Sequence, residues 1–234
     1  MEIIVLSVSQ YKEKDAVVNA ITEGKSFSFF AKGILNPKNK NSFLNNTLCK
    51  ANITLIEGKL KYPILESAEL ISSPMLSDNS LDYLNALLTI DDAMLHLFDT
   101  EEKFLGYKYV NETLTALRKG KNPFYCILFF LIKILPSLGF ELEVKNCVSC
   151  GSKKNITDFS FIDGGFLCSK CAENSERRYT NSQLLILRNA VLSEEIEISD
   201  NLNNDELKAL LFDINVFLTD GIGYHLKTLD SLLK

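Results

Sequence analysis

The chain has 234 residues, 46% of them hydrophobic, and a net charge of −5, so it can bury a substantial core as one large domain or two small ones. The acidic balance argues against a generally basic nucleic-acid binder, and six cysteines are too sparse for a disulfide scaffold. Met1-Glu2 opens acidic and leads straight into a strand-like segment, so no signal peptide is read and a reducing, cytoplasmic setting is expected. The longest apolar run, Phe124–Leu135, contains Lys133 and is too short to span a bilayer.

In chain order, the first segments are short and rich in β-branched and aromatic residues. Glu2–Ser9, Ala16–Ile21, Ser26–Lys32, Leu48–Ile56 and Leu60–Ile71 read as five strands. Glu23-Gly24-Lys25 and Glu57-Gly58-Lys59 are hairpin signals, and residues 33–47 form a long polar loop. Five strands joined mostly by hairpins suit a small closed barrel, either an OB-fold or an SH3-like barrel. Between Lys25 and Lys61, seven lysines face one acid, Glu57; that segment is +6 and the remaining 197 residues sum to −11. A local basic face of this kind attracts phosphate within about 10 Å, although lysine clusters are often only a solvated surface.

Near residue 75 the periodicity becomes helical. Residues 79–98 repeat apolar positions at helical spacing, and a second helix is expected over 104–118. Asn122-Pro123 signals the start of a third, which Pro136 and Gly139 should end near Ser137. Thr180-x-x-Gln183 is a capping box opening Leu184–Leu192. Asn203-x-x-Glu206 opens the last long helix, which should run to about Leu218 before Gly221 and Gly223 break it.

Between these helices lie Cys147-x-x-Cys150 and Cys168-x-x-Cys171, with 17 residues separating the pairs. This spacing fits a tetrahedral four-thiolate zinc site, the alternatives being two disulfides or four free thiols. Four thiolates close the metal's shell, so such a zinc, one per chain, holds structure and does no chemistry. Gly151 and Gly164-Gly165 supply the positive φ values that such knuckles often need.

No catalytic constellation stands out, and no enzyme activity is expected. His96 lies in a helical pattern beside Leu95 and Leu97, and His225 has no nucleophile or carboxylate at triad spacing. Gly221-x-Gly223 is a lone fragment without a Walker lysine, and the acidic pairs Asp91-Asp92 and Glu194-Glu195 read as helix surface.

Several motifs converge on one family. They are Tyr11-x-Glu13-x-Asp15-x-Val17-Val18, Thr22-Glu23-Gly24-Lys25, Ala31-Lys32-Gly33 with Pro37-Lys38, and Cys147-x-x-Cys150-Gly151. Phe159-Ser160, Gly164-Gly165-Phe166-x-Cys168-x-x-Cys171 and Tyr224-His225-Leu226 follow. Over essentially its whole length the chain resembles the RecO recombination mediators of bacteria. The resemblance implies an α+β chain: an N-terminal five-stranded OB-fold over residues 1–76, then an all-helical domain over 77–234, interrupted by a zinc module at 146–175. It also implies a cytoplasmic, nucleoid-associated DNA repair and recombination mediator. Such a protein binds single- and double-stranded DNA without sequence specificity, anneals complementary strands, and acts with RecR and the single-stranded DNA-binding protein so that the recombinase RecA can load.

On that reading Lys25, Lys32, Lys38 and Lys40 are the candidate phosphate contacts. Phe30 and Tyr62 are candidates for base stacking, with Phe27 and Phe29 weighed beside them. Phe27 and Phe29 share one face of the strand and Phe30 lies on the other, so one set must be core. Lys103, Lys108, Arg118, Lys119, Lys121 and Lys133 are the cations near a pocket for an acidic partner tail. Many relatives carry arginine after the Lys-Gly pair where this chain has Ile34-Leu35, which implies weaker and more salt-sensitive DNA binding. The rival readings are a zinc-stabilised protein-interaction adaptor and an RNA-binding OB-fold protein.

Overall fold

The computed structural model describes residues 1–57, 61–74, 80–172, 179–196 and 202–234. It divides into two compact units, Met1–Leu114 and Thr115–Lys234. The Glu57-Gly58-Lys59 turn and the expected helix start at Asn79 fall largely outside the described residues.

In the first unit the strands are β1 (Glu2–Gln10), β2 (Ala16–Ile21), β3 (Ser26–Ala31), β4 (Lys50–Ile56) and β5 (Ile64–Ser72). They close a barrel in the order β1-β2-β3-β5-β4, an OB-fold. All pairings are antiparallel except β3 with β5, which meet in parallel at Phe30 and Ile64. Two boundaries differ from the sequence pattern by more than one residue, for local reasons. β4 begins at Lys50 because Leu48 adopts φ +58. β5 begins only after Pro63, which has no N–H for the ladder.

Inside the barrel, Ile3, Val5, Val18, Phe29, Ala51 and Ile53 pack together. Phe29 is core and fully buried, whereas Phe30 is on the outer face and half-buried. The loop after β3 is less polar in effect than its composition suggests. It winds through successive turns into a 3-10 turn at Ser42–Asn45, and Ile34 and Leu44 join the core. Burial of Ile34, 1% exposed, leaves no room there for an arginine.

The unit also contains α1 (Leu81–His96), capped by Ser80, a 3-10 turn at Lys103–Gly106, and the first part of α2 (Tyr107–Arg118). α1 packs on β1. Lys50 donates to Glu2 and to Asn111 Oδ1, both at 2.9 Å, and Tyr107 Oη donates to Glu2 at 2.6 Å. Lys50 is thus an internal tie rather than part of a basic face. The hydrogen bonds from Tyr107 and Lys50 hold the Glu2 carboxyl below its ordinary value.

Within the second unit α3 (Pro123–Ile134), α4 (Asn181–Leu192), α5 (Asn204–Ile222) and α6 (Lys227–Leu233) follow. Asn122 caps α3, whose side chains are almost all buried, and Pro136 converts its end to a 3-10 turn closed by Gly139. The capping box at Thr180 and Gln183 is formed. α5 runs through Gly221 and stops only at Gly223, and α6 is an element the sequence pattern did not reveal. Among the described residues no helix is long and apolar enough to cross a membrane.

Candidate metal centre and nucleic-acid interface

Between the 3-10 turn and α4, the hairpin of β6 (Ile156–Ser160) and β7 (Gly165–Cys168) carries the second cysteine pair. The first pair reaches it through backbone bonds: Val148 N–H donates to Phe166 O, and Glu143 N–H to Gly164 O. Gly165 is required where the chains meet. A Cβ there would stand 2.1 Å from the Glu143 carbonyl oxygen, far inside van der Waals contact. Each pair sits in a tight knuckle, Gly151 N–H donating to Cys147 O and Ala172 N–H to Cys168 O. Gly151, at φ +71, takes the left-handed turn that follows the first pair.

The four sulfurs all lie within 4.8 Å of one another. Cys150 and Cys168 are 3.7 Å apart, and a Zn–S bond of about 2.3 Å implies a tetrahedral edge of about 3.8 Å. Cys147 and Cys168 are buried, Cys171 is half-buried and Cys150 is exposed. Burial pushes the Cys147 thiol up, but N–H groups of Cys168, Cys150 and Ser149 outweigh it and bring the group down to about 6. Cys168 is lowered by the N–H groups of Cys171 and Lys170. Cys171 is pushed up to about 12 by contact with the sulfurs of Cys150, Cys168 and Cys147. Donors aimed at sulfur, around thiols too crowded to ionise together unaided, are what a divalent cation at the centre would complete. The four cysteines are positioned to bind a metal ion and are compatible with zinc.

The barrel's outer face carries the other candidate residues. Phe30 stands between Val17 on β2 and Ile64 on β5. Tyr11, from the β1–β2 turn, meets Phe30 edge to face at 5.4 Å, and Lys12 lies over Tyr11. Tyr62 precedes β5, with Lys61 over its ring. The β1–β2 turn is tied to the loop after β3: Gly33 N–H donates to Asp15 Oδ1 and Leu35 N–H to Lys14 O. Asn39 Nδ2 donates to Lys32 O, and Asn36 Oδ1 accepts from Lys38 N–H. These contacts gather exposed Lys12, Lys14, Lys32, Lys38 and Lys40 on two segments tied together at one end of the barrel.

Lys25 belongs elsewhere. It is at the β2–β3 tip, over Phe27, beside Thr22, Glu23 and Tyr107. Five residue steps of ladder, about 17 Å, separate that tip from the Lys32 end. Tyr11, Lys12 and Lys14 are site candidates that charge counting missed. The signal for them was positional, since the β1–β2 turn of an OB-fold borders its binding face.

Several of the cations considered for an acidic tail have structural partners, Arg118 Nη2 donating to Thr115 Oγ1 at 3.1 Å. Lys133 Nζ donates to Val191 O near the C-terminus of α4, and Lys103 Nζ to Leu95 O. His225 bridges Thr219 Oγ1 at 3.0 Å and Asp230 Oδ2 at 2.8 Å, a contact the sequence spacing hid. Thr219 Oγ1 donates to Asn215 O at 2.7 Å, so its proton is committed to the helix backbone.

The family profile described as "Recombination protein O C terminal" matches residues 95–230. Relatives named DNA repair protein RecO are similar across much of the chain. The one from Acetivibrio thermocellus is 28% identical over 181 residues, 74% of this chain and 70% of its own length. Those from Enterococcus faecalis and Lactobacillus helveticus are each 26% identical over 96% of this chain, and 88% and 92% of their own lengths are covered. With a matching profile over more than half its length, an OB-fold barrel and a four-cysteine cluster, the chain belongs to the RecO family.

Proposed function

We propose that this chain is a DNA repair and recombination mediator that binds single- and double-stranded DNA without sequence specificity through the outer face of its barrel. Family membership supports the repair and recombination role. The observation that carries the DNA-binding reading is the aromatic face at Phe30, flanked by Tyr11 and Tyr62 and bordered by exposed lysines. Lysines neutralise phosphates and release counterions. Aromatic faces stack any base, at about 1–3 kcal/mol each. Neither device reads sequence, and both suit annealing, because strands held by backbone and loose stacking keep their pairing edges free. Lys32, Lys38 and Lys40 carry the phosphate contacts in this scheme, with Lys12 and Lys14 beside them. Lys25 makes at most a separate contact.

The helical unit is assigned to partners: RecR, the single-stranded DNA-binding protein and, indirectly, RecA. Arg118, Lys119 and Lys121 of this unit are the cations assigned to an acidic tail. One structural zinc per chain, held by Cys147, Cys150, Cys168 and Cys171, completes the proposal.

Fluorescence anisotropy of a labelled single-stranded oligonucleotide across a salt series tests the DNA face. Substituting Lys32→Ala, Lys38→Ala and Lys40→Ala together should flatten the slope of log K against log[salt] by about 2. A triple variant that matches wild type places the strand elsewhere. No binding by wild type at low salt favours the adaptor reading instead.

A further inference from the structure

The outer face of β1–β3 changes character along its length. Toward the Lys25 end Ile4, Leu6 and Ile21 are buried, and toward the other end Val17 and Phe30 are half-exposed. Where these regions meet, a cavity of about 310 Å³ opens, walled on one side by the strands and on the other by Leu95, Thr100 and Lys103. That volume is at the lower end of small-ligand sites.

The strand wall is a hydrogen-bonded row. Asn19 Nδ2 donates to Ser7 Oγ at 2.7 Å, and Ser28 Oγ donates to Asn19 Oδ1 at 2.6 Å. Among the described residues this leaves the Ser7 hydroxyl proton and the second amide hydrogen of Asn19 uncommitted, two donors on the cavity wall. Leu6 and Leu95 supply apolar surface, and Lys103 lines the same space. Lys103 Nζ gives one hydrogen to Leu95 O, and burial lowers its pKa. An anion would restore what that ammonium has lost. The far wall is fixed to the sheet, because Phe104 N–H donates to Ser26 Oγ at 3.0 Å.

We propose that this cavity receives one unpaired nucleotide of a bound single strand, its base carbonyls accepting from Ser7 and Asn19 and its phosphate facing Lys103. The inference rests on the barrel-face reading above. Ser28 and Asn19 are two residues along their strands from Phe30 and Val17 on the same face, about 7 Å away. A strand stacked at Phe30 therefore reaches the cavity mouth with its next base. A paired base cannot enter without leaving its partner, so the cavity favours single strands over duplex. Glu101, exposed at the rim, opposes a run of phosphates and limits the subsite to one nucleotide.

The test compares a labelled oligothymidylate with a duplex of equal length, for wild type and for Thr100→Trp and Ser28→Leu. Thr100 is exposed, so filling the mouth from that side leaves the barrel intact even where Ser28→Leu disturbs it. Single-strand affinity should fall by roughly 5- to 100-fold, the loss of a few hydrogen bonds to one nucleotide, while duplex affinity stays within about twofold, because lysines on the open face carry it. Both variants binding oligothymidylate as wild type does would overturn the subsite and leave the barrel face standing. Equal losses for both DNAs would overturn it as well. Thymidine monophosphate binding that the variants abolish, with oligothymidylate affinity unchanged, assigns the cavity to a free nucleotide and also refutes the proposal. Wild type failing to bind either DNA removes the barrel-face reading and the subsite together.

Discussion

Asp91 shows how much one side chain's surroundings can decide. It lies on α1, where Oδ2 accepts from Thr47 Oγ1 and Oδ1 is buried without a partner among the described residues. Burial pushes its carboxyl up to about 6 from an ordinary 3.8; neighbouring Asp92 adds to the rise and the Thr47 hydrogen bond opposes it. The folded chain therefore holds the proton more tightly than the unfolded chain does. Its cost to stability is absent below about pH 4 and fully present above about pH 6. Asp91→Asn removes the buried charge while keeping an acceptor for Thr47. It should stabilise the protein by on the order of 1–3 kcal/mol near pH 8 and by nothing near pH 4. Thermal melts at the two pH values check this, and a lower midpoint for the variant at pH 8 would refute it. Other single residues show where counting charges stops working. Lys50 and Lys133 look alike in the sequence, yet both are spent on internal partners, and no property of a lone lysine announces that.

Elements were legible where their signals are local. The β2–β3 hairpin follows from its turn residues, α3 from Asn122-Pro123 and α4 from its capping box. α6 was hidden because its support is distant. Its N-terminal residue Leu226 has no capping side chain, and Asn215, 2% exposed on α5, serves it from eleven residues upstream. Asn215 accepts from Leu226 N–H at 3.0 Å and donates to Leu226 O at 3.3 Å and Asp230 Oδ1 at 3.2 Å. Cutting that side chain strands buried backbone groups, each worth about 1–3 kcal/mol. Asn215→Ala should thus destabilise the second unit by roughly 2–4 kcal/mol, the cumulative cost of those groups. Hydrogen exchange should show α6 losing protection first. A variant whose α6 amides stay as protected as wild type would contradict this role. The break expected at Gly221 failed for a related reason, since glycine in a helix is a modest cost that the packing of α5 against α3 and α6 overrides.

At the scale of the whole molecule, the order of parts could be read from the chain, but the grouping of its charges could not. A +6 segment suggested one basic face. The fold sends Lys25 to the opposite end of the barrel and Lys50 inward, and recruits Lys12 and Lys14 from a turn that the count left out. The cysteines needed no such rearrangement, because each knuckle is local and only the meeting of the two pairs depends on the fold. All four lie in the second unit. Structural zinc in small modules contributes apparent binding energies of about 10–16 kcal/mol, comparable with the whole margin of a domain, about 5–15 kcal/mol. Loss of the metal should therefore unfold the module and loosen the helices of its own unit. Barrel strands, whose core contains none of these residues, should keep their protection. Elemental analysis of protein purified without chelator should find one zinc per chain. Hydrogen exchange after treatment with a zinc chelator, or of Cys147→Ser, should then show deprotection of β6, β7 and the cysteine knuckles, while β1–β5 exchange as before. Protein without zinc would refute the metal assignment. Equal deprotection of the barrel would instead show that the chain unfolds as a single cooperative block.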